Sequence, residues 1–139
     1  MQSKKVFITT DGFLNFIDRA KPKHLHAGAY FRYFAGQQFQ LYTTDVVINE
    51  TYSALTNTIS PSIGKDFIRA LQISSINIIY PEEPDIKKSM RLIAESQSAE
   101  LTLGDALTAI ICDKRSIPQV YTFSYFPSLF GLHIFYLPI

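Results

Sequence analysis

Cysteine is almost absent from this chain of 139 residues, which contains Cys112 alone and no tryptophan. A single thiol excludes a disulfide within the chain and a zinc site built from several cysteines, and it is typical of a reducing compartment. The 13 Lys and Arg residues nearly balance the 12 Asp and Glu residues, so the net charge is only +1. Any polyanion must therefore be bound by a local patch, because no strong overall field attracts nucleic acid or an anionic membrane.

Long hydrophobic runs are also lacking. The segment 116–139 contains no Asp, Glu, Lys or Arg, but it is interrupted by Pro118, Pro127, Gly131 and Pro138. No apolar stretch approaches the roughly 20 residues that span a bilayer. Near the N-terminus, Asp11 ends the apolar run well short of a signal-peptide core. We therefore expect no membrane association and a cytoplasmic location.

The abundant residues are hydrophobic ones, at 47% of the chain, with 11 Phe and 8 Tyr. This composition excludes intrinsic disorder and coiled coil, and the length predicts a single domain over residues 1–139. Short apolar runs predict strands at 6–8, 39–43, 76–80, 119–123 and 133–136, and amphipathic segments predict helices between them. This alternation predicts an α/β fold, a three-layer α/β/α sandwich with a mostly parallel sheet of about five strands, whose order the pattern does not specify.

Polar residues follow the predicted strands, where open parallel sheets bind ligands. Thr9 and Asp11 follow the first strand, Thr44 the second and Ser124 the fourth. Two acids, Glu50 and Asp105, lie on the apolar stripes of predicted helices. A carboxylate on a core-facing stripe is costly unless it is paired or bound to a cation, so the two acids predict a Mg²⁺ or Mn²⁺ site.

Four segments resemble, in order and spacing, those of the PIN-domain family, to which the VapC-type toxin ribonucleases belong. They are KVFITTDGFLNFID, YTTDVVINETYSAL, LTLGDALTAIICDK and VYTFSYFPSLFG. The resemblance implies a Mg²⁺- or Mn²⁺-dependent endoribonuclease with Glu50 and Asp105 as catalytic, metal-binding acids. Asp11, two residues beyond Thr9, is a further candidate ligand that would substitute for a missing family acid if the end of the strand shifts. The resemblance also implies RNA as substrate, an antitoxin-like protein partner and a homodimer.

Two family acids are replaced in this chain. Thr9 stands where the family places the aspartate of its first strand, and Ser124 where it places the aspartate after the fourth. Hydroxyls bring no negative charge, so we expect weakened or lost nuclease activity; Thr9, Ser124 and Thr44 remain as supporting residues. The alternative is a non-catalytic PIN-like module that binds RNA or protein.

Each candidate acid also has a structural interpretation. Asp105 completes a capping pattern with Thr102, Asp11 could cap its helix, and Glu50 could form a buried ion pair. The string TTDGFL also resembles half of the D-x-D-G-T signature of haloacid-dehalogenase-type phosphatases, but Thr9 stands at the nucleophile position and the later motifs are not evident.

Overall fold

The computed structural model describes residues 3–137, so the predicted break at Pro138 lies outside the described residues. Strands are β1 (Lys5–Ile8), β2 (Gln40–Thr44), β3 (Asn77–Ile79), β4 (Gln119–Tyr121) and β5 (His133–Ile134). Helices are α1 (Thr10–Ile17), α2 (His24–Gly36), α3 (Asp45–Thr58), α4 (Pro61–Ile73), α5 (Glu83–Glu95) and α6 (Leu103–Lys114). The predicted α/β class is confirmed.

The sheet has the strand order β3-β2-β1-β4-β5, and all four pairings are parallel. The central strand β1 is buried on both faces, with Val6, Phe7 and Ile8 fully inaccessible. Such a strand must be covered by helices on both sides, which explains its continuous apolar sequence. The parallel arrangement brings the carboxyl ends of β1, β2 and β4 together at one edge of the sheet, which we call the carboxyl edge.

Four of the helices have a residue with a hydroxyl side chain as their N-cap. The side chains of Thr9, Thr44, Ser60 and Thr102 each accept a hydrogen bond from a backbone N–H in the first turn. Ser60 is followed by Pro61 at the first helical position, as its sequence predicts. Because α1 and α3 directly follow β1 and β2, their N-terminal turns lie at the carboxyl edge.

Aromatic residues of the uncharged C-terminal segment divide between core and surface. Phe126 is buried and Phe135 packs against Phe34, whereas Tyr125, Phe130 and Tyr136 are exposed. Among residues 3–137, no helix is long and apolar enough to cross a membrane.

Candidate functional site

The hydroxyls at the ends of β1 and β2 have structural partners. Thr9 Oγ1 donates to the carbonyl of Tyr121 at 2.8 Å and accepts from the N–H of Gly12 at 3.1 Å. Thr44 is buried, and its Oγ1 accepts from the N–H of Val47 at 3.2 Å. Both residues therefore cap helices, and Thr9 also joins β1 to β4.

Glu50 and the start of α6 come together at the carboxyl edge. A Cβ atom built on Gly104 would lie 3.9 Å from Glu50 Oε1, which places this carboxylate beside the first turn of α6. Although the residue as a whole is exposed, partial desolvation of its carboxyl raises the pKa of Glu50, and the negative charge of Asp105 raises it further. The two acids predicted to form the site are thus close enough to repel each other.

The predicted core-facing position of Glu50 is wrong, because the residue is exposed. The buried stripe of α3 runs through Val47, Thr51 and Leu55, at intervals of four residues. Glu50 lies three residues after Val47, on the flank of that stripe, and opens towards solvent. The buried ion pair considered for it does not occur among residues 3–137.

Asp105 is half-buried in the first turn of α6, next to the buried Ala106. Its N–H donates to Thr102 Oγ1 at 3.0 Å, as the capping pattern predicts. Burial raises the pKa of the Asp105 carboxyl, while the hydroxyl of Thr102 has the opposite, smaller effect. Asp105 therefore combines a place in a helix cap with a carboxylate that burial makes harder to ionise.

The carboxylate of Asp11 is engaged in hydrogen bonds of its own. Its Oδ2 accepts from the N–H of Phe123 at 2.7 Å and from the hydroxyl of Thr122 at 3.1 Å. Its Oδ1 accepts from Asn15 Nδ2 at 3.1 Å. The carboxylate thus ties α1 to the residues that follow β4, a role that no local pattern in the sequence signals.

Ser124 is exposed, beyond the end of β4, and its N–H donates to Thr122 Oγ1 at 3.1 Å. The carboxyl edge therefore presents two carboxylates that are not committed to backbone hydrogen bonds, those of Glu50 and Asp105. Within residues 3–137, no three His, Cys, Asp or Glu side chains are grouped so that they could hold a metal ion. This donor set does not fit a divalent site built from three or four acids, since hard cations require several oxygen ligands.

The pKa of Glu50, raised by desolvation and by the nearby charge of Asp105, predicts a pH-dependent stability. A carboxyl whose pKa is higher in the folded state destabilises the fold as pH rises above the ordinary value of about 4.3. We expect Glu50→Gln to raise the melting temperature at pH 7 by the equivalent of less than about 1 kcal/mol, because the side chain is exposed and screened. The difference should vanish near pH 3, where both carboxyls are protonated.

Thermal unfolding at several pH values measures this effect. Glu95→Gln, at the far end of α5, is the matched control for the loss of one exposed carboxylate. A pH-independent gain in Glu50→Gln would contradict electrostatic repulsion as its cause.

A second concave feature is an aromatic groove between α1, α2, α4 and the start of β2. It encloses about 540 Å³. Its lining includes six phenylalanines: Phe13, Phe16, Phe31, Phe34, Phe39 and Phe67. Phe13, Phe34 and Phe67 form a buried floor, whereas Phe16 is 40% exposed and its ring contacts that of Phe31 in a tilted arrangement, with centroids 4.3 Å apart. The apolar residues of α1 predicted that this helix packs against its neighbours. They did not predict that one side of this packing would stay open to solvent.

No protein-family model and no curated protein matches the sequence. Among solved structures, the chain is similar to the crystal structure of VapC20 from Mycobacterium tuberculosis, a toxin that cleaves the sarcin–ricin loop. The TM-score is 0.76 at 15% identity, over 86% of this chain and 89% of that chain. At this identity the likeness concerns the fold alone. The α/β fold of this chain is PIN-like, as the resemblance in sequence implied.

Proposed function

We propose that this chain is a PIN-like domain that has lost metal-dependent RNA cleavage and acts as a protein-binding module. The observation that carries the proposal is the position of Asp11. It is the candidate third acid, and its two carboxylate oxygens already accept three hydrogen bonds. Moving this carboxylate towards Glu50 and Asp105 would leave those donors without their partner, which is costly in a partly buried site.

The two remaining family positions do not replace the missing charge. Thr9 is engaged with Gly12 and Tyr121, and Ser124 carries only a neutral hydroxyl. Two carboxylates bring less negative charge to a divalent cation than three or four acids do, so most of its oxygen ligands would have to come from water or substrate phosphate and its binding would be weak. Without a bound cation, an in-line attack on a phosphodiester lacks both an activated water and stabilisation of the developing charge.

The aromatic groove supports a binding role. A concave site lined mainly by hydrophobic and aromatic side chains is the usual form of a binding site. Aromatic side chains are enriched at the centres of protein interfaces, where they supply large contact areas. The partner would be an antitoxin-like protein that inserts an apolar segment against the floor formed by Phe13, Phe34 and Phe67.

A ribonuclease with weakened activity is the second candidate. The proximity of Glu50 and Asp105 favours it, because a cation between the two carboxylates would relieve their repulsion. A weakened ribonuclease would have to cleave RNA with these two acids, whereas the family resemblance implies a site of three or four acids.

RNA cleavage in the presence of Mn²⁺ separates these candidates. We expect no cleavage of a panel of structured and single-stranded RNAs by the wild-type chain, at a rate indistinguishable from that of Asp105→Asn. Cleavage by the wild type that Asp105→Asn abolishes would contradict the proposal and favour the weakened ribonuclease.

Restoring one acid should restore affinity for metal. Ser124→Asp adds a carboxylate at an exposed position where it disturbs no buried contact. We expect millimolar Mn²⁺ to raise the melting temperature of this variant by several degrees, since a ligand at about 100 times its Kd stabilises by about 2.7 kcal/mol. The melting temperatures of the wild type and of the charge-matched control Ser62→Asp should stay unchanged.

The binding role is tested by selecting a random 12-residue peptide library, displayed on phage, against the wild-type chain. We expect enriched peptides rich in apolar residues, with at least tenfold weaker binding to Phe16→Glu, which places a charge at the rim of the groove. Peptides that bind both proteins equally, or no enrichment, would contradict a binding role for the groove.

A further inference from the structure

Phe130 occupies an unusual backbone conformation in the connection between β4 and β5. Its φ is 54°, in the left-handed region, and Gly131 follows with φ 78°. The turn is closed by a hydrogen bond from the N–H of Leu132 to the carbonyl of Leu129 at 2.9 Å. A left-handed conformation is ordinary for glycine but strained for a bulky side chain, so local backbone preference does not explain a phenylalanine here.

The turn carries its two flanking leucines into the core, but burial of the Phe130 ring does not explain the choice of phenylalanine at this position. Leu132 is 3% exposed and belongs to the core, and Leu129 packs against that core. The turn directs Phe130 outwards, where 46% of it is exposed. Strain that is retained at an exposed aromatic residue points to a role in contact with another molecule.

A cationic side chain of α5 contacts this ring, and a second lies on the same side of the helix. Lys88 Nζ lies 5.2 Å from the centroid of the Phe130 ring, a cation–π contact. Arg91 follows three residues later on the same side of α5 and is exposed. Neither cation forms an ion pair among residues 3–137, whereas the neighbouring Lys87 pairs with Glu83 at 2.8 Å.

We propose that Phe130, Lys88 and Arg91 form a docking surface for a short acidic segment of a partner protein. The segment would place an apolar side chain on the open face of the Phe130 ring and one or two carboxylates against Lys88 and Arg91. Aromatic and arginine side chains side by side are the residue types that carry most of the binding energy at protein interfaces. This surface is formed by α5 and the connection between β4 and β5, whereas the aromatic groove lies between α1, α2, α4 and the start of β2. The inference therefore does not depend on the partner proposed for the groove.

The extent of the positive charge favours a peptide over a nucleic acid. Lys88 and Arg91 are separated by about 4.5 Å along the helix axis. The exposed acids Glu83 and Glu95 lie at the two ends of the same helix. A nucleic-acid strand carries a charge on every nucleotide and would meet these acids, whereas one or two carboxylates match the short positive stretch.

The same phage-displayed 12-residue library tests this surface when it is selected on Phe16→Glu, in which the groove is blocked. We expect enriched peptides that combine Asp or Glu with an aromatic or aliphatic residue. Their binding should fall at least tenfold when either Phe130→Gly or Lys88→Glu is added, and should be unchanged by Lys65→Glu, a matched charge reversal on α4.

Phe130→Gly separates binding from folding, because glycine relieves the left-handed strain and its melting temperature should not fall. The inference is overturned if no peptide is enriched, if the enriched peptides bind Phe130→Gly and Lys88→Glu as tightly as their parent, or if a 12-nucleotide oligouridine binds this surface instead. Because the groove is blocked throughout, these outcomes are distinct from a failure of the groove proposal.

Discussion

Gly12→Ala is expected to destabilise the protein by at least about 2 kcal/mol, the cost of forcing an extra methyl group into a packed core. A Cβ atom on Gly12 would lie 2.9 Å from both Cδ2 and Cε2 of Tyr121 and 2.9 Å from its carbonyl oxygen. Tyr121 cannot yield, because it is fully buried and stacks on Tyr30 with ring centroids 5.1 Å apart. The gain in helix propensity, about 1 kcal/mol, does not offset this overlap.

Denaturant unfolding measures the loss, with Gly36→Ala as the matched control. Gly36 ends α2, and a Cβ atom there meets nothing within 4 Å. We expect this control to be neutral or stabilising by up to about 1 kcal/mol. Equal unfolding midpoints for Gly12→Ala and the wild type would show that the contact between α1 and β4 is looser than the 2.9 Å approach to Tyr121 implies.

Asp11→Ala is expected to cost about 2–4 kcal/mol, since hydrogen bonds to a charged acceptor each contribute about 1.5–3 kcal/mol. The substitution leaves the N–H of Phe123, the hydroxyl of Thr122 and the amide of Asn15 without their acceptor. Asp11→Asn keeps an acceptor oxygen and should lose less. Both variants also loosen the segment after β4, so limited proteolysis should cut there sooner than in the wild type.

Asp45→Ala is the control, because Asp45 is also an acid in the first turn of a helix, at the first position of α3 where Asp11 is at the second position of α1. It is exposed, and its Oδ1 accepts only from the adjacent N–H of Val46. We expect a loss below about 1 kcal/mol. If Asp11→Ala lost as little free energy of unfolding as Asp45→Ala, the Asp11 carboxylate would be free to join Glu50 and Asp105. The loss of the metal site would then be contradicted.

The elements of this fold could be predicted from the sequence because their signals are local. The capping serine and proline at 60 and 61 fixed the start of α4, and the buried run of β1 indicated a strand covered on both faces. The order of the strands could not be predicted. Several runs are equally apolar, and hydrophobic periodicity does not encode which strand pairs with which.

The candidate site stays a prediction, although Glu50 lies close to Asp105 and to the first turn of α6. The role of Asp11 depends on Thr122 and Phe123, more than 100 positions further along the chain, so neighbouring residues gave no sign of it. The exposure of Glu50 depends on its place on the flank of the α3 stripe, which a pattern at helical spacing does not resolve.

Calorimetric titration of the wild-type chain with Mn²⁺ at neutral pH, in parallel with Asp105→Asn, tests the loss of the metal site most directly. Because the carboxyl edge offers, within residues 3–137, only the carboxylates of Glu50 and Asp105 for a cation, we expect no saturable Mn²⁺ binding in the micromolar range for either protein. Micromolar binding, about −8 kcal/mol, that disappears in Asp105→Asn would contradict that loss and show that Glu50 and Asp105 still hold a cation.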